Sequence, residues 1–544
     1  MTVLEQFRSP FAAFAAAAAR RPDTAFLLAP ASAGLPYAPD GFRIAYATLA
    51  ARVEELRADY AAAGYGAGAR VALLLENRPE FFAHWLALNA LGVSIVPLNP
   101  DLRADELAFQ LDMAGAKLLV AADDHVARAR AGADGRARVV AEGDPIPPHA
   151  GAVAGQDDGP AQECALLFTS GSTGKPKGCV LSNRYFLQVA EWFLTQGGVA
   201  ETRPENEVNL TPLPMFHMNA LGCSAVGMMV AGGTLVPLDR FHASRWWASV
   251  ADSGATMVHC LGVIPAILLQ LPPGAAEGRH SARFAFAPGV DVRHRAIFEA
   301  RYRLPIVDAW AMTETGGAAC TTTAREPAGY AARCIGRPRD GMDYRIVDEA
   351  GADAVPGQPG EFLVRAAGQD PRAGFFSGYL GDEAATEEAW AGGWFHTGDY
   401  VRAEADGMLY FFDRKKSIVR RSGENIAVLE VESVLHRLDA VQVTAVTPVP
   451  DELRGEEVFA FVVRPEGASA PDEALAEAIV RDCAEALAYH KVPGHVAFVD
   501  ELPLSSTKKL ARGEIKALAA RAVDEGTAFD LRPLKAGLRK ARGH

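Results

Sequence analysis

The 544-residue sequence holds only seven cysteines, at positions 164, 179, 223, 260, 320, 334 and 483, and no two of them lie close together. That scatter offers neither a zinc site nor a disulfide framework and suits a reducing compartment. Basic residues are in the minority, 54 against 67 acidic ones, and the net charge of −13 argues against nucleic acid held on a basic face. No uninterrupted apolar run reaches the roughly 20 residues of a spanning helix. The most membrane-like stretch, residues 220–236, is cut by several glycines. The alanine-rich run 11–19 follows Glu5 and precedes Arg20-Arg21, which points to a surface helix rather than a signal peptide. These absences leave no nucleic-acid partner, no membrane span and a soluble, cytoplasmic protein. Hydrophobic residues make up 49% and charged residues 22% of the chain, as in a globular protein rather than a disordered one. The length exceeds what one hydrophobic core organises, so two or more domains are expected.

What is present is concentrated around residues 165–178. The apolar run Ala165-Leu166-Leu167-Phe168 reads as a buried strand. It leads into Thr169-Ser170-Gly171-Ser172-Thr173-Gly174-Lys175-Pro176-Lys177-Gly178, with three glycines, four hydroxyl residues and two lysines. Glycines allow successive backbone N–H groups to face one anion, hydroxyls add donors and lysines neutralise charge, so this is a phosphate-binding pattern. A flexible linker is the bland alternative, but linkers seldom follow so apolar a strand. A Walker loop does not fit: only two residues separate Gly171 from Gly174, Pro176 follows Lys175, and Gly178-Cys179-Val180-Leu181 resumes a strand rather than a helix.

The stretch closely resembles the phosphate-binding loop of the adenylate-forming superfamily, which includes acyl-CoA synthetases, peptide-synthetase adenylation domains and luciferases. The resemblance extends over most of the chain, from residue 44 to 512, and further motifs follow in order. Within residues 44–120 helical patterns such as 46–65 alternate with strands at 71–75 and 92–98, which implies parallel sheet covered by helices. Residues 130–160, rich in Ala, Gly, Asp and Pro, read as a weakly structured connection. Ser182 or Asn183 is placed to cap a helix running through Phe193.

In Pro214-Met215-Phe216-His217 the resemblance places His217 beside the carboxylate substrate. Phe286-Ala287-Pro288-Gly289-Val290 resembles a turn that approaches the nucleotide, so Gly289 and Val290 join the expected site. In Asp308-Ala309-Trp310-Ala311-Met312-Thr313-Glu314 the Thr-Glu pair resembles the family signature. It implies Thr313 on the α-phosphate, Glu314 (with Thr169) on Mg²⁺, Trp310 stacked on adenine, Asp308 on its amino group and Met312 alongside. Asp399, ending Trp394-Phe395-His396-Thr397-Gly398-Asp399, is implied for the ribose hydroxyls, and Arg414 for ribose or phosphate. Lys416 matches the hinge position, and Ser422-Gly423-Glu424-Asn425-Ile426 resembles the crotonobetaine or carnitine CoA ligase branch, with Gly423 and Glu424 bordering the pantetheine channel. In Ser506-Thr507-Lys508-Lys509-Leu510 the catalytic lysine of the family aligns with Lys509, while Lys508 stands where relatives carry glycine. A plain surface lysine pair is the alternative reading.

The resemblance implies an α/β fold: an AMP-binding domain over 1–415 with parallel-rich sheets flanked by helices and a small β-barrel-like part, then a mobile α+β lid over 416–544. Alternation at 441–446 and the strand 457–463 agree with a lid sheet. The implied activity is an ATP-dependent, AMP- and pyrophosphate-forming carboxylate–CoA ligase, with ATP, Mg²⁺ and coenzyme A. Its partners are then a small carboxylic acid and CoA, and a homodimer is left open. Loading of an acyl carrier protein is the first alternative, and a catalytically impaired nucleotide- or acyl-binding relative is the second. Met215, Met218, Cys223, His259, Cys260, Val263 and 315–320 form the expected acyl pocket. It holds no arginine to grip a second carboxylate, which points to a small or medium, largely uncharged acid. The basic tail beyond Asp530 carries no assigned function.

Overall fold

The computed structural model describes residues 2–155, 157–169, 176–326, 333–414, 417–421, 424–451, 454–465, 467, 473–504 and 510–541. Two seven-stranded sheets are mostly parallel. One runs in the order Gly378–Tyr379, Lys177–Ser182, Glu163–Thr169, Ser94–Pro97, Arg70–Leu74, Leu118–Ala121 and Arg138–Ala141. The other orders Ile306–Val307, Phe284–Phe286, Met257–His259, Val208–Thr211, Thr234–Pro237, Ala25–Ala29 and Phe42–Ala45. Parallel strands covered on both faces need continuous apolar sequence. Val71, Ala72 and Leu73, and Leu118, Leu119 and Val120, are all buried. One core joins the two sheets through the helices Pro79–Ala90 and Asn183–Leu194. Ser182 caps the second helix, accepting the Tyr185 N–H at 3.2 Å, as the sequence leads one to expect.

A third sheet is antiparallel throughout: Ala309–Trp310, Thr321–Thr322, Cys334–Pro338, Leu409–Arg414, Phe395–Ala403, Gly360–Ala366 and Met342–Val347. Among the described residues its order does not close, and it stands where the resemblance places a barrel-like part. Beyond residue 417 a smaller sheet forms from Glu424–Ala427, Ile418–Arg421, Gly455–Val463, His495–Phe498 and Phe529–Asp530, with Val443–Asp451 beside Gly455–Val463. Its helices Val428–Leu435 and Glu473–Ala486 cover a core of its own, from Val419 to Leu531. The architecture is the α/β arrangement that the sequence implies.

Two local expectations change, and the basic tail gains a structural place. Residues 130–160 are not uniformly irregular: the helix Val126–Ala133 and the strand Arg138–Ala141 occupy the first part. Small residues make this work, because a side chain at Gly132 would come within 2.5 Å of Leu107, so the helix lies close against its neighbour. The alanine-rich segment is the helix Pro10–Arg20, capped by Ser9, but it is docked rather than superficial. Ala13, Phe14 and Ala17 are buried, with the Phe14 ring 5.5 Å from that of Phe26. The basic tail forms the helix Arg532–Ala541, whose Lys535 is buried and bonds the Glu457 carboxylate at 2.7 Å. Among the described residues no helix is long and apolar enough to cross a membrane.

Candidate active site

The strands Glu163–Thr169 and Lys177–Ser182 are antiparallel neighbours, with Thr169 opposite Lys177, so the phosphate-loop sequence is the connection of a hairpin. Ser170, Gly171, Ser172, Thr173, Gly174 and Lys175 lie outside the described residues, as do Lys416, Gly423 and Lys509. Of Glu424 only the backbone is described, opening the strand Glu424–Ala427. Thr169 and Lys177 mark the two ends of the loop.

Around those ends several distant segments converge. The short strand Gly378–Tyr379 pairs with Lys177–Ser182, Gly378 facing Val180 and Tyr379 facing Cys179. That register sets the Tyr379 ring beneath the Lys177 ammonium, 4.3 Å from the ring centroid, and the Tyr379 hydroxyl donates to Glu314 Oε1 at 3.0 Å. The Glu314 carbonyl accepts the Phe376 N–H at 2.9 Å, which fixes the same segment from the other side. Glu314 is buried, and burial raises its pKa, opposed by the Tyr379 hydroxyl and the Arg414 charge. Tyr379 is in turn held protonated by burial and by the neighbouring Glu314 carboxylate. The backbone before Glu314 is anchored by Tyr185, whose hydroxyl donates to the Thr313 carbonyl at 2.7 Å. Met312 N–H donates to Thr315 Oγ1 at 3.0 Å, closing the turn.

A second group lies alongside. Asp399 follows Gly398, whose φ of +66° is the left-handed turn that glycine accommodates. Its backbone N–H bonds Thr397 Oγ1 at 3.0 Å. The Trp310 indole N–H donates to Asp399 Oδ2 at 2.8 Å, and Arg414 Nε lies 3.2 Å from Oδ1, paired by charge but off the line of a hydrogen bond. Burial raises the Asp399 pKa, with Arg414 and then Trp310 acting against it. Asp308 Oδ1 accepts the N–H of Gly289 and of Ala309, each at 2.9 Å, and burial pushes its carboxyl up to about 6. Gly289 takes φ +82° and Val290 is buried next to it. Thus Lys177, Glu314, Thr313, Met312, Trp310, Asp308, Gly289, Asp399 and Arg414 belong to one region, although they come from all three large sheets and their connections.

His217 stands exposed ahead of the π-helix Asn219–Val226, its carbonyl accepting the Leu221 N–H. Of the expected acyl pocket, Met215, Met218, Cys223, His259, Cys260, Thr315 and Cys320 are buried. Val263 is not: it opens the helix Val263–Gln270 and is 61% exposed, so the apolar run Leu261-Gly262-Val263-Ile264 turns outward at its third residue. His259 Nδ1 pairs with Ser224 Oγ at 2.8 Å, and burial pushes the imidazole down to about 3, so it is neutral.

Sequence reasoning missed Tyr379, Tyr185 and Asn77. Asn77, in the turn between the strand Arg70–Leu74 and the helix Pro79–Ala90, donates to the carbonyls of Leu213 and Leu238 and accepts the Met215 N–H, tying the two parallel sheets together near His217. No local pattern announces these residues, since each acts on a partner at least 65 residues away.

Family and relatives together define an adenylate-forming ligase of the acid–thiol class. The family model described as AMP-binding enzyme matches residues 14–380, and the model of the AMP-binding enzyme C-terminal domain matches 430–509. The chain belongs to the AMP-binding enzyme family. It is 32% identical over 533 residues to a protein of Cupriavidus necator named sulfoacetate–CoA ligase, covering 93% of this chain and 97% of that one. It is 27% identical over 500 residues to a crotonobetaine/carnitine–CoA ligase of Citrobacter koseri, covering 87% and 93%. The fold matches that of o-succinylbenzoate-CoA synthetase from Bacillus subtilis, solved with its acyl-adenylate intermediate. The TM-score is 0.79 at 24% identity, over 94% of this chain and 98% of that chain.

Proposed function

We propose that this enzyme uses ATP to activate a small or medium, largely uncharged organic acid as its acyl-adenylate and then passes the acyl group to the thiol of coenzyme A. The observation that carries the reading is the convergence at the phosphate-loop hairpin: Lys177 over Tyr379, Tyr379 on Glu314, and Trp310 and Arg414 on Asp399.

A carboxylate is a poor acyl donor because oxide is a poor leaving group. In the first step a carboxylate oxygen attacks the α-phosphorus of ATP and pyrophosphate leaves, so little covalent work falls to side chains. The protein must align two anions and offset their charge. Loop residues 169–178, with Lys175 and Lys177, hold the phosphates, and Thr313 meets the α-phosphate. Trp310, with Asp308, Gly289, Val290 and Met312 around it, holds adenine, and Asp399 with Arg414 holds the ribose. One buried carboxylate, Glu314, together with the Thr169 hydroxyl would be a donor set that fits Mg²⁺, which takes few protein ligands and otherwise phosphate and water oxygens. Bound there, the ion offsets phosphate charge. His217 borders the incoming carboxylate, and Lys509 reaches it from the C-terminal domain.

In the second step the CoA thiolate attacks the acyl carbonyl and AMP departs, which requires different groups at the same carbon. A lid rotating near Lys416 meets that need. The separate core formed beyond residue 417 supports a division at 415/416. Gly423 and Glu424 then border the thiol channel.

The test is product analysis. Turnover must release pyrophosphate and AMP, not ADP, and AMP formation must depend on added CoA. Hydroxylamine-trapped adenylation across short, branched, aromatic and quaternary-amine acids identifies the acid. A purified enzyme that splits ATP to ADP, or that shows no acid-dependent pyrophosphate release, would overturn the reading.

A further inference from the structure

Trp310 does more than present a ring. Its indole N–H is committed to Asp399 Oδ2 at 2.8 Å, across 89 residues of sequence. The ring is fixed edge-to-face against Phe362, centroids 4.9 Å apart, so the N–H has one direction available. The other carboxylate oxygen, Oδ1, is buried without a hydrogen bond, and among the described residues the cation paired with it is the half-aligned Arg414 guanidinium at 3.2 Å. Asp399 itself is 3% exposed, so its carboxylate cannot find bulk water to complete its shell. A carboxylate offers about four acceptor directions. One oxygen is clamped by a donor of fixed position, and the other, closed off from solvent with the Arg414 guanidinium beside it, has acceptor directions that no hydrogen bond fills.

We propose that Trp310 is a positioning residue for ribose selection: its indole N–H locks the Asp399 carboxylate in the one rotation that presents Oδ1 to the sugar hydroxyls of the nucleotide. The inference rests on the reading of Asp399 as the ribose acceptor. A phenylalanine ring in place of Trp310 keeps the apolar face and loses the donor. The carboxylate is then free to turn about its Cβ–Cγ bond, and each hydroxyl finds it correctly oriented for only part of the time. Because ribose contacts are made in the ground state and the transition state alike, the loss falls on KM rather than kcat.

The test uses the full-length enzyme with ATP, 2′-deoxyATP and 3′-deoxyATP, in four forms: wild type, Trp310→Phe, Asp399→Asn and the double variant. The wild type is expected to disfavour at least one deoxy analogue. In Trp310→Phe the KM for ATP rises about tenfold, the typical weight of a hydrogen bond to a charged group. The KM for the disfavoured analogue rises much less, and kcat at saturation stays within about twofold. In the Asp399→Asn background the second substitution has no further effect on ribose discrimination. Equal rises for ATP and both analogues would show that Trp310 only stacks or packs, and would overturn the proposal while leaving the ribose reading intact. A wild type that accepts all three nucleotides equally would overturn the ribose reading and this inference with it.

Discussion

Replacing Tyr379 by phenylalanine isolates one hydroxyl. The ring stays beneath Lys177, where a phenyl face also attracts the ammonium, and what disappears is the donor 3.0 Å from Glu314 Oε1. A hydrogen bond to an ionised group is worth about 1.5–3 kcal/mol, and Glu314 is 8% exposed, so water cannot readily replace it. The cost to the step that needs ionised Glu314 is therefore roughly 10- to 150-fold. Its form is specific. Burial already raises the Glu314 pKa, and the Tyr379 hydroxyl opposes that rise. Without it the carboxyl protonates at higher pH, so the acidic limb of the adenylation profile moves toward neutrality and the Mg²⁺ concentration needed for half-maximal rate increases. Acid-dependent pyrophosphate release, measured across pH and Mg²⁺ concentration, reads both. A Tyr379→Phe enzyme with the wild-type acidic limb and Mg²⁺ requirement would refute the reasoning, and a loss restored at alkaline pH would support it.

Other consequences follow from named residues. Lys509→Ala should lower adenylation about 10²- to 10³-fold while leaving thioester formation from supplied acyl-adenylate much less affected, and normal adenylation would remove Lys509 from the mechanism. Within the C-terminal unit Glu457 is fully buried between Arg421 at 2.8 Å and Lys535 at 2.7 Å. Glu457→Gln strands two buried cations and should destabilise that unit by about 3–5 kcal/mol, seen by calorimetry or limited proteolysis of the full chain. An unchanged transition would contradict the pairing. Asp308 accepts both its N–H bonds through Oδ1, so Asp308→Asn keeps them and removes only the titration. Because burial lifts its folded-state pKa to about 6, the protonated form is the one folding favours. That stability is complete below the ordinary carboxylate value and is lost as pH rises through about 6. The wild type should therefore lose up to about 3 kcal/mol relative to Asp308→Asn between pH 4 and 7, and parallel stability profiles would show that Asp308 is not held neutral.

The sequence by itself determined the class of fold and the family. Apolar runs such as Val71-Ala72-Leu73 could only be strands covered on both faces, and Ser182 could be read as a cap. The composition of 169–178 made it the candidate phosphate loop. Each of these signals lies within about ten consecutive residues and depends on local periodicity or residue type. Tertiary structure decided which distant groups act together. Tyr379 reaches Glu314 only because Gly378–Tyr379 adds to the sheet beside Lys177–Ser182, and Trp310 meets Asp399 only because Ala309–Trp310 and Phe395–Ala403 belong to the same antiparallel sheet. The outward turn of Val263, the buried face of the alanine-rich helix and the docking of Lys535 were settled in the same way. Burial and pairing belong to the neighbours that tertiary packing supplies, and for the strand residues Tyr379, Trp310 and Asp399 a one-residue shift in register would send the side chain to the opposite face.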